Sequence, residues 1–232
     1  MKKITKVEFM KIRKETNMHF FYNLLVFCLL PMWYLVLLGM PLYSFASDAD
    51  TNVAKIQKAY ENIKDLKGSF HQKSVLKDID RTDIYSGDFF IKYPLKMKWI
   101  YSDPTAQEVT IVDNAMLIYK KHEKQAYKGT FDRQTYGQTP VALLSGFGSL
   151  TDEFDFSGDG NQLELKPKKP ISNVEAITIT MSDADFPIES FTIRDSYANI
   201  IEISLKNIKT NTGIKDSFFT FSLPDGVNVF EQ

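Results

Sequence analysis

A single cysteine, Cys28, stands among 232 residues. That excludes a disulfide within a monomer, a CxxC redox pair and any zinc site built on several thiolates. Three histidines leave little from which to build an imidazole metal site. No excess of one charge exists either: 28 lysines and arginines face 29 aspartates and glutamates, a net charge of −1 that gives no reason to expect nucleic acid as a partner. Catalytic signatures are missing too. No serine stands in a GxSxG turn, no glycine loop runs into a lysine, and no HExxH occurs. His71 alternates with strand residues beside Gln72 and reads as a surface histidine, far in sequence from His122. The acid pairs Asp78 with Asp80, Asp152 with Glu153 and Asp183 with Asp185 sit in turn-like stretches, where aspartate bonds to local backbone. We assign no catalytic residue, no metal and no cofactor, and expect a protein that is not an enzyme.

What is present begins with a targeting segment. Lys2, Lys3, Lys6, Lys11, Arg13 and Lys14 precede an apolar run from Phe20 to Leu38, then Pro41 and the small-residue pattern Ser44-Phe45-Ala46. Basic start, apolar middle and small residues at −3 and −1 form the secretory layout, so residues 1–46 read as a signal peptide cut after Ala46. The run is longer than the roughly 7–15 residues of an ordinary signal core and nears the ~20 that span a bilayer. An uncleaved anchor is therefore the alternative, weakened by Asn23 and Pro31 inside the run. Phe27 before Cys28 speaks against lipidation there. Removing this segment leaves 47–232 as one mildly acidic exported domain.

That domain reads as one helix followed by many strands. Asp48 to Lys64 carries Val53, Ile56, Tyr60 and Ile63 at steps of three and four, with Asp50 or Thr51 as the cap. After Gly68 the period changes to two. Strands are expected at Ser69–Lys77, Asp83–Tyr93, Lys96–Ser102, Glu108–Val112, Met116–Lys120, Gln125–Thr130, Glu153–Ser157, Gln162–Pro167, Glu175–Met181, Ile188–Asp195, Asn199–Asn207 and Ser217–Ser222. Short strands joined by tight turns imply an antiparallel meander, hence a curved sheet or barrel. One short helix interrupts them, Thr139 to Gly146, with proline at its start and glycine at its end. Phe89, Ile91 and Tyr93 share one strand face, as do Met97, Trp99 and Tyr101, Val109 and Ile111, and Phe191 and Ile193. Two helices cannot cover that much apolar surface with a dense core. A pocket is the natural outcome, a filled barrel the alternative.

An ordered series of segments resembles the periplasmic outer-membrane lipoprotein carrier family (LolA-type). It runs Ser69-Phe70-His71-Gln72-Lys73, Gly87-Asp88-Phe89-Phe90-Ile91-Lys92-Tyr93-Pro94, Met97-Lys98-Trp99, Asp103-Pro104 and Val112-Asp113-Asn114. It continues through Thr139-Pro140-Val141-Ala142-Leu143-Leu144 and Leu163-Glu164-Leu165-Lys166-Pro167 to the ending Phe219 to Val227. The resemblance implies an incomplete antiparallel β-barrel of about eleven strands, closed by a helical lid over an apolar cavity. It implies a periplasmic chaperone whose cavity takes the acyl chains of lipoproteins. Such carriers collect acylated lipoproteins from an inner-membrane ABC release complex and pass them to an outer-membrane acceptor lipoprotein. We read this one as a monomer. A same-fold carrier or sensor for another amphiphile, such as a glycolipid, is the alternative.

By the same resemblance Phe89, Ile91, Met97, Trp99 and Tyr101 line the concave face, Tyr60 and Ile63 face it from the first helix, and Val141, Leu143 and Leu144 face it from the lid. Ordinary core packing is the competing role for each. Two positions depart from the family pattern. Tyr93 stands where an arginine usually holds the lid, and a phenol brings one donor instead of five. Asn114 stands where the hairpin usually has glycine, and is expected to take the left-handed conformation.

Overall fold

The computed structural model describes residues 47–102, 104–132, 144 and 149–231, all within one compact unit, Ala46–Gln232. The targeting segment and most of Thr139–Gly146, with Val141 and Leu143, lie outside the described residues. Helix α1 (Asp48–Asn62) opens the domain. Its cap is Ser47, one turn earlier than Asp50 or Thr51. The Asp50 amide donates to Ser47 Oγ at 3.1 Å while the Ser47 amide donates back to Asp50 Oδ2 at 3.1 Å. Two orphan donors are thereby satisfied reciprocally. The helix stops at Asn62, with Ile63 as its extended end residue.

Strands β1 (Asp65–Leu76), β2 (Arg81–Lys92), β3 (Lys96–Tyr101), β4 (Gln107–Val112), β5 (Ala115–Lys120) and β6 (Gln125–Thr130) form the first meander. A short helix α2 (Leu150–Glu153) leads into β7 (Phe154–Asp159), β8 (Gln162–Pro167), β9 (Val174–Met181), β10 (Ile188–Asp195) and β11 (Ile200–Thr210). A last strand, β12 (Asn228–Glu231), ends the described chain. The twelve strands make one sheet in the order β12-β6-β5-β4-β3-β2-β1-β11-β10-β9-β8-β7. The first pairing across the two meanders is β1 with β11, and β7 and β12 remain the edges. The sheet is an unclosed, mainly antiparallel half-barrel, with α1 packed on β7 and β8.

Register explains how the inward face is built. Phe89 lies opposite Trp99, Ile91 opposite Met97, Trp99 opposite Val109 and Ile111 opposite Met116. Because side chains alternate, these residues share one side, and Phe90, Lys92, Lys96 and Lys98 share the other. Two glycines let the inner side curve. Gly68 leaves room for the Phe89 ring, which a Cβ would meet at 2.9 Å. At Gly87 a Cβ would run into the Ile100 carbonyl oxygen and meet the Phe70 ring at 2.9 Å.

The chain end differs from the expected pattern. Ser217–Ser222 is no strand: Asp216–Phe219 is a 3-10 turn, and the twelfth strand is Asn228–Glu231, parallel to β6. Phenylalanines at alternate positions suggest a strand, but cross-strand partners are already taken there, and the segment crosses the convex side as a strap. Asp65 anchors it. Its carboxylate accepts from the Thr212 amide at 2.7 Å, the Thr212 hydroxyl at 2.8 Å and the Gly213 amide at 3.0 Å. Lys92 and Lys96 then grip Asp216, holding its carboxyl down at about 2 chiefly through their hydrogen bonds. Phe218 packs on Phe90 at 4.7 Å beneath Lys98. A second correction concerns the β4–β5 hairpin, whose left-handed residue is Asp113, at φ 53°, rather than Asn114.

Burial alone would raise the Asp65 pKa, but hydrogen bonds from Thr212, Gly213 and Ile214 outweigh it and hold the group below its ordinary value. A carboxyl lowered in the folded state stabilises above its unfolded pKa, and that contribution disappears as pH falls through the folded value. Asp65→Asn should cost about 2 kcal/mol in urea unfolding at pH 7. The gap from wild type should narrow as the pH drops below 3.8, the ordinary carboxyl value. Gly87→Ala should cost about 1–3 kcal/mol through overpacking, read as a lowered Tm.

Candidate functional site

The concave face is a continuous apolar layer. Phe89 and Trp99 are 0% exposed, and Ile91 and Met97 are equally sealed. The Trp99 ring is the hub: Phe89 stacks on it at 5.3 Å and Phe70 leans on it at 4.3 Å. Tyr101 meets Phe70 edge-on at 5.2 Å and Tyr85 at 5.9 Å. Burial and the neighbouring Tyr85 push the Tyr101 phenol up to about 12, so it stays neutral.

At the other end of β2 the residues read as lid-facing come together. Tyr93 meets Tyr60 of α1 edge-on at 5.6 Å, and Tyr60 meets Phe186 at 6.0 Å. The Tyr93 hydroxyl donates to the main-chain carbonyl of Leu144 at 3.3 Å. Burial, with Tyr60 beside it, raises the Tyr93 pKa well above its ordinary value. The phenol is thus a neutral single donor to carbonyl oxygen. Leu144 itself is fully buried.

Ten residues were expected around the cavity. Phe89, Ile91, Met97, Trp99 and Tyr101 share the inward side, Tyr60 and Ile63 adjoin it at the end of α1, and Leu144 is buried in the same cluster. Val141 and Leu143 lie outside the described residues. Most of this set is packed against itself. Of two hollows near it, one of about 470 Å³ includes Ile63 and one of about 380 Å³ includes Tyr101, each with both polar and apolar residues in its walls. Phe70 and Phe186 belong to the same layer and were missed. Phe70 alternates with Gln72 and Ser74, which hid an inward position behind polar neighbours. Phe186 sits in the β9–β10 turn, where no periodicity exists to reveal it.

Two substitutions separate the packing from the latch. Trp99→Ala should lower unfolding free energy by about 3–5 kcal/mol, as loss of a buried indole does. Tyr93→Phe keeps the ring contact with Tyr60 and removes the hydroxyl's hydrogen bonds to the Leu144 carbonyl and to Tyr60, so its cost in the same urea titration should be about 1–3 kcal/mol.

The comparisons with known proteins agree with this geometry. The family model for the outer membrane lipoprotein carrier protein LolA matches residues 61–222. A protein of Methylococcus capsulatus named outer-membrane lipoprotein carrier protein is 25% identical over 205 residues, covering 86% of this chain and 97% of its own. A protein of the same name from Cupriavidus pinatubonensis is 28% identical over 200 residues, covering 81% and 93%. Among solved structures, an uncharacterized conserved protein from Thermus thermophilus superposes with a TM-score of 0.53 at 8% identity. It covers 80% of this chain and 100% of its own, a likeness of fold alone. With the family model spanning well over half of the sequence, the chain belongs to the outer membrane lipoprotein carrier (LolA) family.

Proposed function

We propose that this protein is a periplasmic carrier that shelters the acyl chains of lipoproteins against the concave face of its half-barrel. The observation that carries this reading is the inward layer itself: Phe89, Ile91, Met97 and Trp99 form an apolar wall on a sheet that never closes. Each methylene left in water costs about 0.8 kcal/mol, so a multiply acylated protein cannot cross an aqueous space alone. An apolar wall offsets that cost. Side chains that pack against one another when empty compete with the cargo, which keeps binding reversible. Aromatic and methionine side chains suit this because they bury area without demanding one shape.

Entry requires the cover to move. Tyr93 holds the Leu144 carbonyl by one neutral hydrogen bond, a contact weak enough to break when acyl chains arrive. In this reading the carrier receives its load from an inner-membrane ABC release complex and delivers it to an outer-membrane acceptor lipoprotein. Among the described residues no helix is long and apolar enough to cross a membrane. Cleavage after Ala46 would release the domain beginning at Ser47, whose side chain is already the cap of α1.

Mass spectrometry of the protein purified from its own periplasm should find diacylglyceryl-modified peptides bound to it. Free phospholipid or glycolipid alone would instead favour a carrier of another amphiphile. N-terminal sequencing of the same sample should begin at Ser47, and an intact segment 1–46 would overturn the cleavage.

A further inference from the structure

The hollow of about 380 Å³ lies at the start of β2, a strand's length from Tyr93. Its wall includes Gln72, the polar member of an otherwise apolar cross-strand row. The inward cross-strand row through Gln72 continues as Ile203, Phe191, Ile179 and Leu163. Gln72 is only 7% exposed. Its Nε2 donates to Ser74 Oγ at 3.0 Å, and its Oε1 has no partner among the described residues. Turning the amide over would exchange an orphan acceptor for an orphan donor, so one end stays unsatisfied either way. A leucine would continue the row without that cost. A buried polar group kept against such a cost calls for a partner from outside the fold.

The charged groups around the hollow are already committed. Asp195 Oδ1 accepts from the Tyr197 amide at 2.9 Å and the Asn199 amide at 2.8 Å, and its Oδ2 accepts from the Asn199 side chain at 2.9 Å. Asp83 pairs with Arg81 at 2.9 Å. Among the described residues an ion entering here meets no unpaired opposite charge, whereas a neutral N–H donor meets the Gln72 oxygen. The rings of Tyr85, Tyr101, Phe70 and Trp99 touch in sequence and join the hollow to the apolar interior. The site therefore suits a molecule with a neutral amide end and a hydrocarbon end.

Resting on the acyl-chain reading above, we infer that this hollow holds the first peptide amides of an acylated cargo, with Gln72 Oε1 accepting an amide N–H. The acyl chains run inward along the aromatic path, and the polypeptide leaves by this mouth. Binding of two probes tests it: a synthetic dipalmitoylglyceryl-cysteinyl tetrapeptide, and dipalmitoylglycerol, which has the same chains and no peptide. Both are titrated into protein isolated from exporting cells.

Gln72→Leu should weaken the lipopeptide about fivefold, the loss of one hydrogen bond, and leave dipalmitoylglycerol unchanged. Its Tm should equal or exceed that of wild type, because an unsatisfied group has gone. Gln72→Met, which keeps the length of the side chain, should reproduce the selective loss. If neither probe or both probes respond alike to the substitutions, the peptide-amide site is overturned while acyl binding stands. A wild-type protein that binds neither probe overturns the acyl-chain reading and this one with it.

Discussion

An apolar concave face on an open sheet has to be covered, because every buried ring it carries would otherwise meet water. A closed barrel of this size could fill itself and stop there. Here β7 and β12 stay unpaired with each other, and the inward side of the sheet depends on α1, Leu144 and its own aromatics for cover. Trp99, Phe89 and Phe70 lean together in the centre of that layer. The same surface that stabilises the empty protein by packing is the surface a hydrocarbon chain would use. On the carrier reading proposed above, stability and binding would draw on one set of contacts.

The two sides of the sheet are held by different physics. Inside, most side chains are apolar, and Gln72 Oε1 stands out because it lacks a partner among the described residues. Outside, the strap after β11 is fixed by polar contacts: Asp65 to Thr212 and Gly213, then Lys92 and Lys96 to Asp216. Strand alternation makes this division possible, since Ile91 and Lys92, or Met97 and Lys96, are neighbours in sequence that point to opposite sides. The strap braces β2 and β3 from behind.

Much of this was legible from residue order. The period-two pattern located eleven of the strands, alternation grouped Phe89 with Ile91, Met97 with Trp99 and Val109 with Ile111 on shared strand faces, and the family resemblance put the first four of these on the concave side. The family resemblance added Tyr93 as the residue facing the lid, and the Tyr93 hydroxyl lies against the Leu144 carbonyl. Less visible were features set by long-range pairing. Phenylalanines at 219 and 221 imitate a strand, but the sheet offers no free edge there. Asp113, not Asn114, takes the left-handed turn position, because the twist of the hairpin decides which residue must bend. Ser47 caps α1 because the reciprocal partner it needs, Asp50, is three residues on.

The amino-acid order by itself determined a helix followed by an antiparallel meander and an apolar stripe along each central strand, because local periodicity and turn chemistry act over a few residues. Only the tertiary structure decided that the chain end becomes a strap and a parallel twelfth strand, and that Gln72 sits alone in an oily row. Those outcomes depend on contacts between residues more than a hundred positions apart, as Asp65 to Thr212 and Gln72 to Ile203 are, and no local pattern encodes which distant group will arrive.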